Sequence, residues 1–490
     1  MDKILDTLII GAGFAGIGAA IQLKKQGVKN FLILERKSEV GGTWRDNTYP
    51  GCACDIPSFL YSYSFELNPE WSASFSPHYE ILDYLKFCVK KYEIEAHIIF
   101  NTAVEEVRFN ASKGNWRVNT DSKQDFQART LISCSGPLNE PSYPEIKNSK
   151  AFKGPQFHSL HWQHDLDLTQ KRIAVIGTGA SAIQFIPSIA EKAKSVTIFQ
   201  RTAPWVSPKN NQRFSESSKK RFRKFPHYMR FWREFIYWIL ELRGMSQYKD
   251  NTMRKWRTKE AINHLHAQIS DPELREQVTP DYAIGCKRIL ISDEYYPTLI
   301  KDHVHLETKA ISAFTEKGIL TQSGKEIEVD IIIYGTGFKT TTFSHIYKVI
   351  GLNNRSLFEE WNQQGGQAFK GINVSGFPNF LIVVGPNTGL GHNSIIHMME
   401  SQYNYIIDYL KQLQQQAPGA YFDVKLVQQQ AFNTQLQQDL KNMVWSTGGC
   451  QSYYLKDSIG KNTSIWPGST MKYRKATKKM KLSDYNILHP

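Results

Sequence analysis

Two stretches of this chain share one form, and together they limit the fold more than anything else in it. DTLII (residues 6–10) runs into GAGFAG, then into the helix-patterned IGAAIQLKKQG, then into FLILE, which ends at Glu35. RIAVI runs into GTGASA, then AIQFIPSIAEKAK, then SVTIFQ, which stops just before Arg201. Each is strand, glycine turn, helix and strand within about 30 residues, the pattern of a nucleotide-binding βαβ unit. They lie about 165 residues apart and do not form a solenoid repeat, so two nucleotide sites are the simpler reading.

In the first unit Gly11, Gly13 and Gly16 form G-x-G-x-x-G between a strand and a helix. Gly11 allows the tight turn, Gly13 lets a pyrophosphate approach the backbone, and Gly16 lets helix and strand pack closely. The helix N-terminus offers N–H groups and a positive dipole end to the phosphates. Glu35 ends the next strand, where a carboxylate accepts bonds from ribose hydroxyls. The pair Gly41-Gly42 in GGTW gives a second bare backbone beside the ligand. A glutathione-reductase-like flavin domain fits, and FAD is the expected ligand. Phe14, Ala15, Thr43, Trp44, Asp55, Tyr61, Val104 and Gly136 complete the candidate FAD set.

The second turn is Gly177, Thr178, Gly179, Ala180, Ser181 and Ala182. Its third glycine is replaced by Ala182, which the looser fingerprint permits. The strand after it leads to Gln200-Arg201 instead of an acid. An arginine there holds a 2′-phosphate that an Asp or Glu would repel, so NADPH is expected rather than NADH.

The remaining pattern suggests an α/β chain of two Rossmann-like domains. Residues 1–145 and 335–490 are assigned to a discontinuous FAD-binding domain, and 146–334 to an NADPH-binding domain with a helical insertion at about 208–290. HIIFNTAVEEVRFN and NWRVNT alternate like a β-meander, while TLISCSG, DIIIYGTGF and NFLIVVGPN end buried strands in glycine turns. The insertion is rich in Lys, Arg and aromatic residues. The Gln-rich stretch 411–437 suggests surface helices, and the tail MKYRKATKKMKL an exposed basic segment.

A disulfide reductase shares two such sites but needs a redox cysteine pair beside the flavin. The six cysteines include no C-x-x-C or C-x-x-x-x-C, and Cys52 and Cys54 are one residue apart, an awkward disulfide geometry. They are read as scattered thiols, mostly small buried hydrophobes, of a reducing compartment. No Cys/His cluster has zinc spacing. MDKILDTLIIGAG is too short an apolar run for a signal peptide, and no apolar run reaches membrane-span length, so a cytoplasmic protein is expected. The net charge of +14 fits a phosphorylated cofactor, nucleic acid or anionic lipid without choosing among them, and no nucleic-acid motif is present.

Oxygen remains as the common electron acceptor, and here FKGPQFHSLHW (152–162) becomes informative. It resembles the signature of the type I Baeyer–Villiger monooxygenases, F-x-G-x-x-x-H-x-x-x-W, at Phe152, Gly154, His158 and Trp162, with Gln163 departing from the Pro or Asp that follows there. GGTWRDNTYPGCACD matches a second signature, (A/G)-G-x-W-x-x-x-x-(F/Y)-P-(G/M)-x-x-x-D, from Gly41 to Asp55. The resemblance runs from Asp6 to about Trp466.

That resemblance implies a flavoprotein monooxygenase that takes electrons from NADPH. Its C4a-peroxyflavin attacks a ketone and leaves an ester or lactone. It implies that Arg288, in CKRILISDEYY, is the cation serving the peroxide, that Asp55 orients it, and that Lys287 joins Arg201 and Thr202 at the 2′-phosphate. A buried guanidinium is expected at Arg288. His158 is expected to couple the nucleotide domains, and His392, in GPNTGLGHNS, to be structural. Tyr453, Tyr454 and Trp466 fall where the family builds a mobile pocket wall. Ketone and O2 are the expected partners. The nearest alternative is sulfide or amine oxygenation by the same chemistry. A more distant one is a basic nucleic-acid or membrane-surface protein. FPHYMRFWREFIYWILELR motivates it, since its apolar residues have helical spacing. A packed helix is the favoured reading there, with weak membrane-surface contact as the other.

Overall fold

The computed structural model describes residues 4–248, 251–340, 346–450, 454–456 and 460–490. Two sheets organise it. The first begins with β1 (Leu5–Ile10), β2 (Phe31–Leu34) and β3 (Ile98–Ile99), which pair in parallel. β4 (Val104–Asn110), β5 (Asn115–Thr120) and β6 (Asp125–Ser133) form the antiparallel meander. The second sheet takes β7 (Gln156–His158), β8 (Arg172–Ile176) and β9 (Ser195–Phe199). β10 (Val206–Ser207) and β11 (Leu290–Ile291) pair separately, β12 (Val304–Glu307) joins the second sheet, and β13 (Ile311–Phe314), β14 (Gly318–Thr321) and β15 (Glu326–Glu328) form a small antiparallel sheet. β16 (Ile331–Tyr334) closes the second sheet. The chain then returns to the first with β17 (Lys348–Ile350), β18 (Asn373–Val374) and β19 (Phe377–Ile382).

The first sheet runs β17-β4-β5-β6-β1-β2-β3. β6 serves two partners on one edge: its first half pairs antiparallel with β5 and its last residues pair parallel with β19. The second sheet is wholly parallel, in the order β12-β9-β8-β16-β7. Covered on both faces, its strands read as near-continuous apolar runs such as RIAVI and IIIY.

Helices α1 (Phe14–Lys25), α2 (Thr43–Asp46) and α3 (His78–Lys91) belong to the first half of the chain, and α4 (Ala180–Ala190) follows the second glycine turn. The segment after β10 is helical: α5 (Glu216–Lys224), α6 (Pro226–Gly244), α7 (Thr252–Gln268) and α8 (Pro272–Val278), with α9 (Tyr295–Leu299) beyond β11. α10 (Leu357–Gln364), α11 (Ile395–Gln414), α12 (Leu426–Lys441), α13 (Val444–Thr447) and α14 (Thr470–Ala476) complete the set.

Two sequence expectations change. Cys286 and Cys450 are not separate thiols but a disulfide, with Cα atoms 6.1 Å apart across 164 residues of sequence. Tertiary folding brings them together, and no local spacing could have shown it. Cys52, Cys54, Cys88 and Cys134 are free and buried. In α6, Tyr228, Trp232 and Ile236 pack against the core, but Phe231 and Phe235 face outward, so the helix is only half packed.

Candidate active site

The first glycine turn is shaped by what a side chain would strike. A Cβ on Gly11, whose φ is +100°, would lie 2.7 Å from the Cys134 carbonyl oxygen, and one on Gly16 would lie 1.8 Å from the Gly11 oxygen. Gly13 faces Gly42 (φ +54°), where a Cβ would come 3.2 Å from the Gly13 Cα. Two bare backbones therefore meet at the start of α1, and no side chain caps that helix. Uncapped first-turn N–H groups with two bare backbones beside them fit a pyrophosphate.

Glu35 is buried just under this turn. Its Oε2 accepts from Ala12 N at 2.8 Å, and its Oε1 from Lys37 N at 3.0 Å and Arg45 Nη1 at 3.2 Å. An ionised carboxylate offers about four lone-pair directions, so one remains for a hydroxyl donor. Arg45, not singled out from the sequence, also donates to the Glu39 carbonyl at 2.5 Å and to Asp46. It lies at an unspecified position of the second signature, which hid it. Trp44 donates from Nε1 to Tyr61 Oη at 3.1 Å, and Phe14 packs edge-on against Tyr61 with centroids 5.2 Å apart. Gly136 follows β6 with φ +69° and open space where its side chain would be. Ala15 and Thr43 open α1 and α2. Val104 is buried in the hydrophobic cluster beneath β4.

The second turn repeats the logic with one change. A Cβ on Gly177 (φ +103°) would lie 2.7 Å from the Gly335 oxygen. Ala182 fits where a third glycine usually stands because its neighbour is itself a glycine: a Cβ on Gly335 would come 2.8 Å from that of Ala182. No side chain caps α4 either, leaving the N–H groups of Ala180, Ser181 and Ala182 open to an anion. Thr178 donates to the Thr202 carbonyl at 3.3 Å. Burial lowers the Lys287 pKa, and the charge of Arg201 lowers it further, so two cations share this end of the turn. A cation pair of this kind is chemically suited to an anion.

Between the turns stands Asp55. Its Oδ2 accepts from Arg288 Nη2 at 2.8 Å, and its Oδ1 accepts from Gln184 Nε2 at 3.1 Å. Gln184, on α4, also accepts from Tyr49 Oη at 3.0 Å and donates to the Ala53 carbonyl at 3.0 Å. Gly51 makes this clasp possible, since a Cβ there would lie 2.4 Å from the Gln184 carbonyl oxygen. The YPGCACD segment thus lies flush on the helix of the second turn. Arg288 differs from expectation: its side chain is 43% exposed, not buried. It reaches out of its own chain segment to Asp55, whose side chain is only 11% exposed.

In the 152–162 string, Phe152 is buried and Gly154 passes under Asp330, where a Cβ would lie 2.5 Å from the carbonyl oxygen. His158, on β7, is fully buried. Burial pushes its pKa down to about 4, and its Nδ1 accepts from Leu160 N at 3.1 Å. It is therefore a neutral structural residue near pH 7. Trp162 packs against Phe157 and Phe185, fixing β7 to α4. His392 Nε2 lies 3.2 Å from Glu241 Oε1 in a buried contact with α6. Tyr454 and Trp466 are buried in the cluster around Tyr282 and Cys286, while Tyr453 lies outside the described residues. Cys52 and Cys54 do not form a redox pair: burial pushes the Cys52 thiol up to about 12 and the Cys54 thiol higher still.

The sequence pattern described as "Pyridine nucleotide-disulphide oxidoreductase" matches residues 8–231. A "Baeyer-Villiger monooxygenase" of Pseudomonas aeruginosa is 43% identical over 479 residues, covering 98% of this chain and 90% of that one. The chain belongs to the Baeyer–Villiger monooxygenases. A second relative of that name, from Streptomyces coelicolor, is 41% identical and covers 98% of this chain and 92% of its own. Among solved structures, the OTEMO complex with FAD and NADP superposes with a TM-score of 0.86 at 26% identity, covering 99% of both chains. Oxidized steroid monooxygenase bound to NADP gives 0.86 at 27% identity, covering 100% of both. In this Baeyer–Villiger monooxygenase the two glycine turns each offer a bare, uncapped helix start of the kind that fits a dinucleotide phosphate.

Proposed function

We propose that the chain oxidises a ketone to an ester or lactone: ketone, O2, NADPH and a proton give ester, water and NADP+. The observation that carries the reading is Arg288, held by Asp55 between the two uncapped helix starts. The first turn, with Glu35, Trp44 and Tyr61, would hold FAD, and the second, with Arg201, Thr202 and Lys287, would hold NADPH. Bound reduced flavin supplies the oxygen-activating chemistry. The chain's part is electrostatic. A guanidinium stays protonated at any working pH, so Arg288 can face negative charge that grows on the reacting oxygens. Asp55 fixes its direction, and Gln184 fixes Asp55. His158 adds no positive charge near pH 7, because burial pushes its pKa down to about 4. NADPH as electron donor supports the cytoplasm as the place of action.

A panel of linear, cyclic and aryl ketones, incubated with NADPH and isotopically labelled O2, tests the reading by mass spectrometry. One labelled oxygen in an ester product is expected. Efficient sulfide oxidation with no ester from any ketone would assign the chain to heteroatom oxygenation instead.

A further inference from the structure

The two faces of α6 have opposite surroundings. The inner face is locked to the body of the protein. Arg233 is buried and donates from Nη1 to the Phe59 carbonyl at 2.6 Å. Glu241 accepts from His392 at 3.2 Å, from Asn393 at 2.8 Å and from Thr470 Oγ1 at 2.8 Å. Burial alone would raise the Glu241 pKa, but these hydrogen bonds turn the shift downward. Rotating the helix would strand both charges, so its orientation is fixed.

The outer face is apolar. Phe231, Phe235, Trp238 and Leu242, with Met245 in the residue just past the end of α6, follow steps of four, three, four and three, which keep them within about 40° of one line along the helix. Each is between 47% and 62% exposed. Single exposed apolar residues are ordinary, but five in one stripe mark a contact surface.

Basic segments border the stripe on both sides. On one side Phe222 stacks on Tyr228 with centroids 6.1 Å apart, and the Arg221 guanidinium lies 5.9 Å from the Tyr228 ring centre. These contacts hold α5, whose sequence is ESSKKRFRK. On the other side Thr470 bonds Tyr237 Oη at 2.7 Å and Glu241, which holds α14 and the exposed basic residues Lys472, Arg474, Lys475, Lys478 and Lys479. Lys219, Arg223 and Lys472 are paired with Glu216, Glu70 and Asp439, and Glu234 adds one acid beside the stripe, yet both flanks remain net positive.

We propose that the α6 stripe and its basic borders dock the enzyme on an anionic lipid surface, with the helix lying in the plane of the headgroups. An apolar line between rows of Lys and Arg matches the layering of acyl chains beneath phosphates. A second copy of the chain fits less well. A symmetric contact through this face would set the basic borders of two molecules, each of net charge +14, against one another. No described helix is long and apolar enough to cross a membrane, so the contact lies at the surface.

Co-sedimentation of the full-length FAD-loaded enzyme with vesicles tests this. Binding is expected to phosphatidylcholine vesicles containing phosphatidylglycerol, with little to phosphatidylcholine alone, and it should weaken at high salt. The triple variant Phe231→Ser, Trp238→Ser, Leu242→Ser should lose about tenfold or more of that binding, with FAD content and turnover of a soluble ketone unchanged. Three outcomes overturn the proposal: wild type left in the supernatant with anionic vesicles at low salt; triple variant bound as tightly as wild type, which would make net charge sufficient; or a wild-type dimer that the triple variant abolishes, without vesicle binding. Should the triple variant fail to fold, brominated lipid gives a second measurement. It should quench a part of the wild-type tryptophan emission that Trp238→Phe lacks, and equal quenching in the two proteins overturns the proposal.

Discussion

Gln184 donates to one carboxylate oxygen of Asp55 while Arg288 holds the other, at 3.1 Å and 2.8 Å. The three residues come from α4, from the segment after the Gly-Gly pair, and from the stretch before β11. The helix that follows the second glycine turn thereby sets the direction of the cation proposed to face the reacting oxygens.

Removing Gln184 should loosen Arg288 without touching the first turn. Gln184→Ala leaves Asp55 one hydrogen bond short, and such a loss costs about 1–3 kcal/mol. Gln184→Glu should do worse, because it sets a carboxylate against Asp55. Both variants should keep FAD, measured by absorbance, while ester formed per NADPH oxidised drops, by roughly tenfold for Ala. Tight coupling in both variants would show that Asp55 does not need this support.

Arg201→Ala with Lys287→Ala should raise the KM for NADPH far more than that for NADH. The two side chains lie close enough for the charge of Arg201 to lower the Lys287 pKa, and a 2′-phosphate would relieve that repulsion. Each charge-assisted contact is worth about 1.5–3 kcal/mol, so a shift of roughly a hundredfold in the NADPH to NADH ratio is expected. Equal rises in the two constants would remove both residues from the 2′-phosphate.

The glycine turns were legible because close approach leaves a local mark: only glycine fits where a Cβ would strike the Cys134 or Gly335 oxygen. Glu35 and Arg201 were legible because they follow a strand at a fixed step. Gln184 was not. It occupies no motif position, and its meaning comes from Asp55, 129 residues away in sequence. The Cys286–Cys450 disulfide was hidden for the same reason. The exposure of Arg288 was missed because the sequence places a residue in a segment but does not say whether the segment is covered. In α6, helical spacing of apolar residues was visible, but periodicity cannot tell a face that meets a core from one that meets solvent.

His158 gives the stability a pH dependence with a definite sign. Its folded pKa is about 4 against an ordinary 6.5, so the unfolded chain binds the proton first as pH falls. Its contribution is fully present above pH 6.5 and is lost between about 6.5 and 4, up to about 3 kcal/mol if the whole shift is realised. Asp423 acts in the opposite sense, since burial pushes its pKa up to about 6. Comparison with His158→Asn separates the two: Asn can still accept from Leu160 N but takes up no proton. Denaturant midpoints should fall less for the variant than for wild type as pH drops from 6.5 to 5. Parallel curves would place no titrating group at His158.

Arg288→Ala tests the proposed reaction most directly. Arg288 is tied to Asp55 and its side chain is 43% exposed, so the substitution removes a cation without opening a core. FAD content should be unchanged, because Gly11, Gly13, Gly16 and Glu35 lie on other elements. Groups that face developing negative charge are typically worth about 3–4 kcal/mol at the transition state, or roughly a hundred- to thousandfold in kcat. Ester formation should fall by that factor, while NADPH oxidation falls less and the oxygen consumed appears as hydrogen peroxide. Arg288→Lys keeps the charge but loses the planar fork that meets Asp55, so it should recover only part of the rate. Asp55→Asn should resemble the Lys variant, since it loosens the cation without removing it. The ester to peroxide ratio then ranks wild type first, Lys and Asn between, and Ala last. Ester formation by the Ala variant at near wild-type rate would remove Arg288 from the reaction and leave it a link between chain segments only.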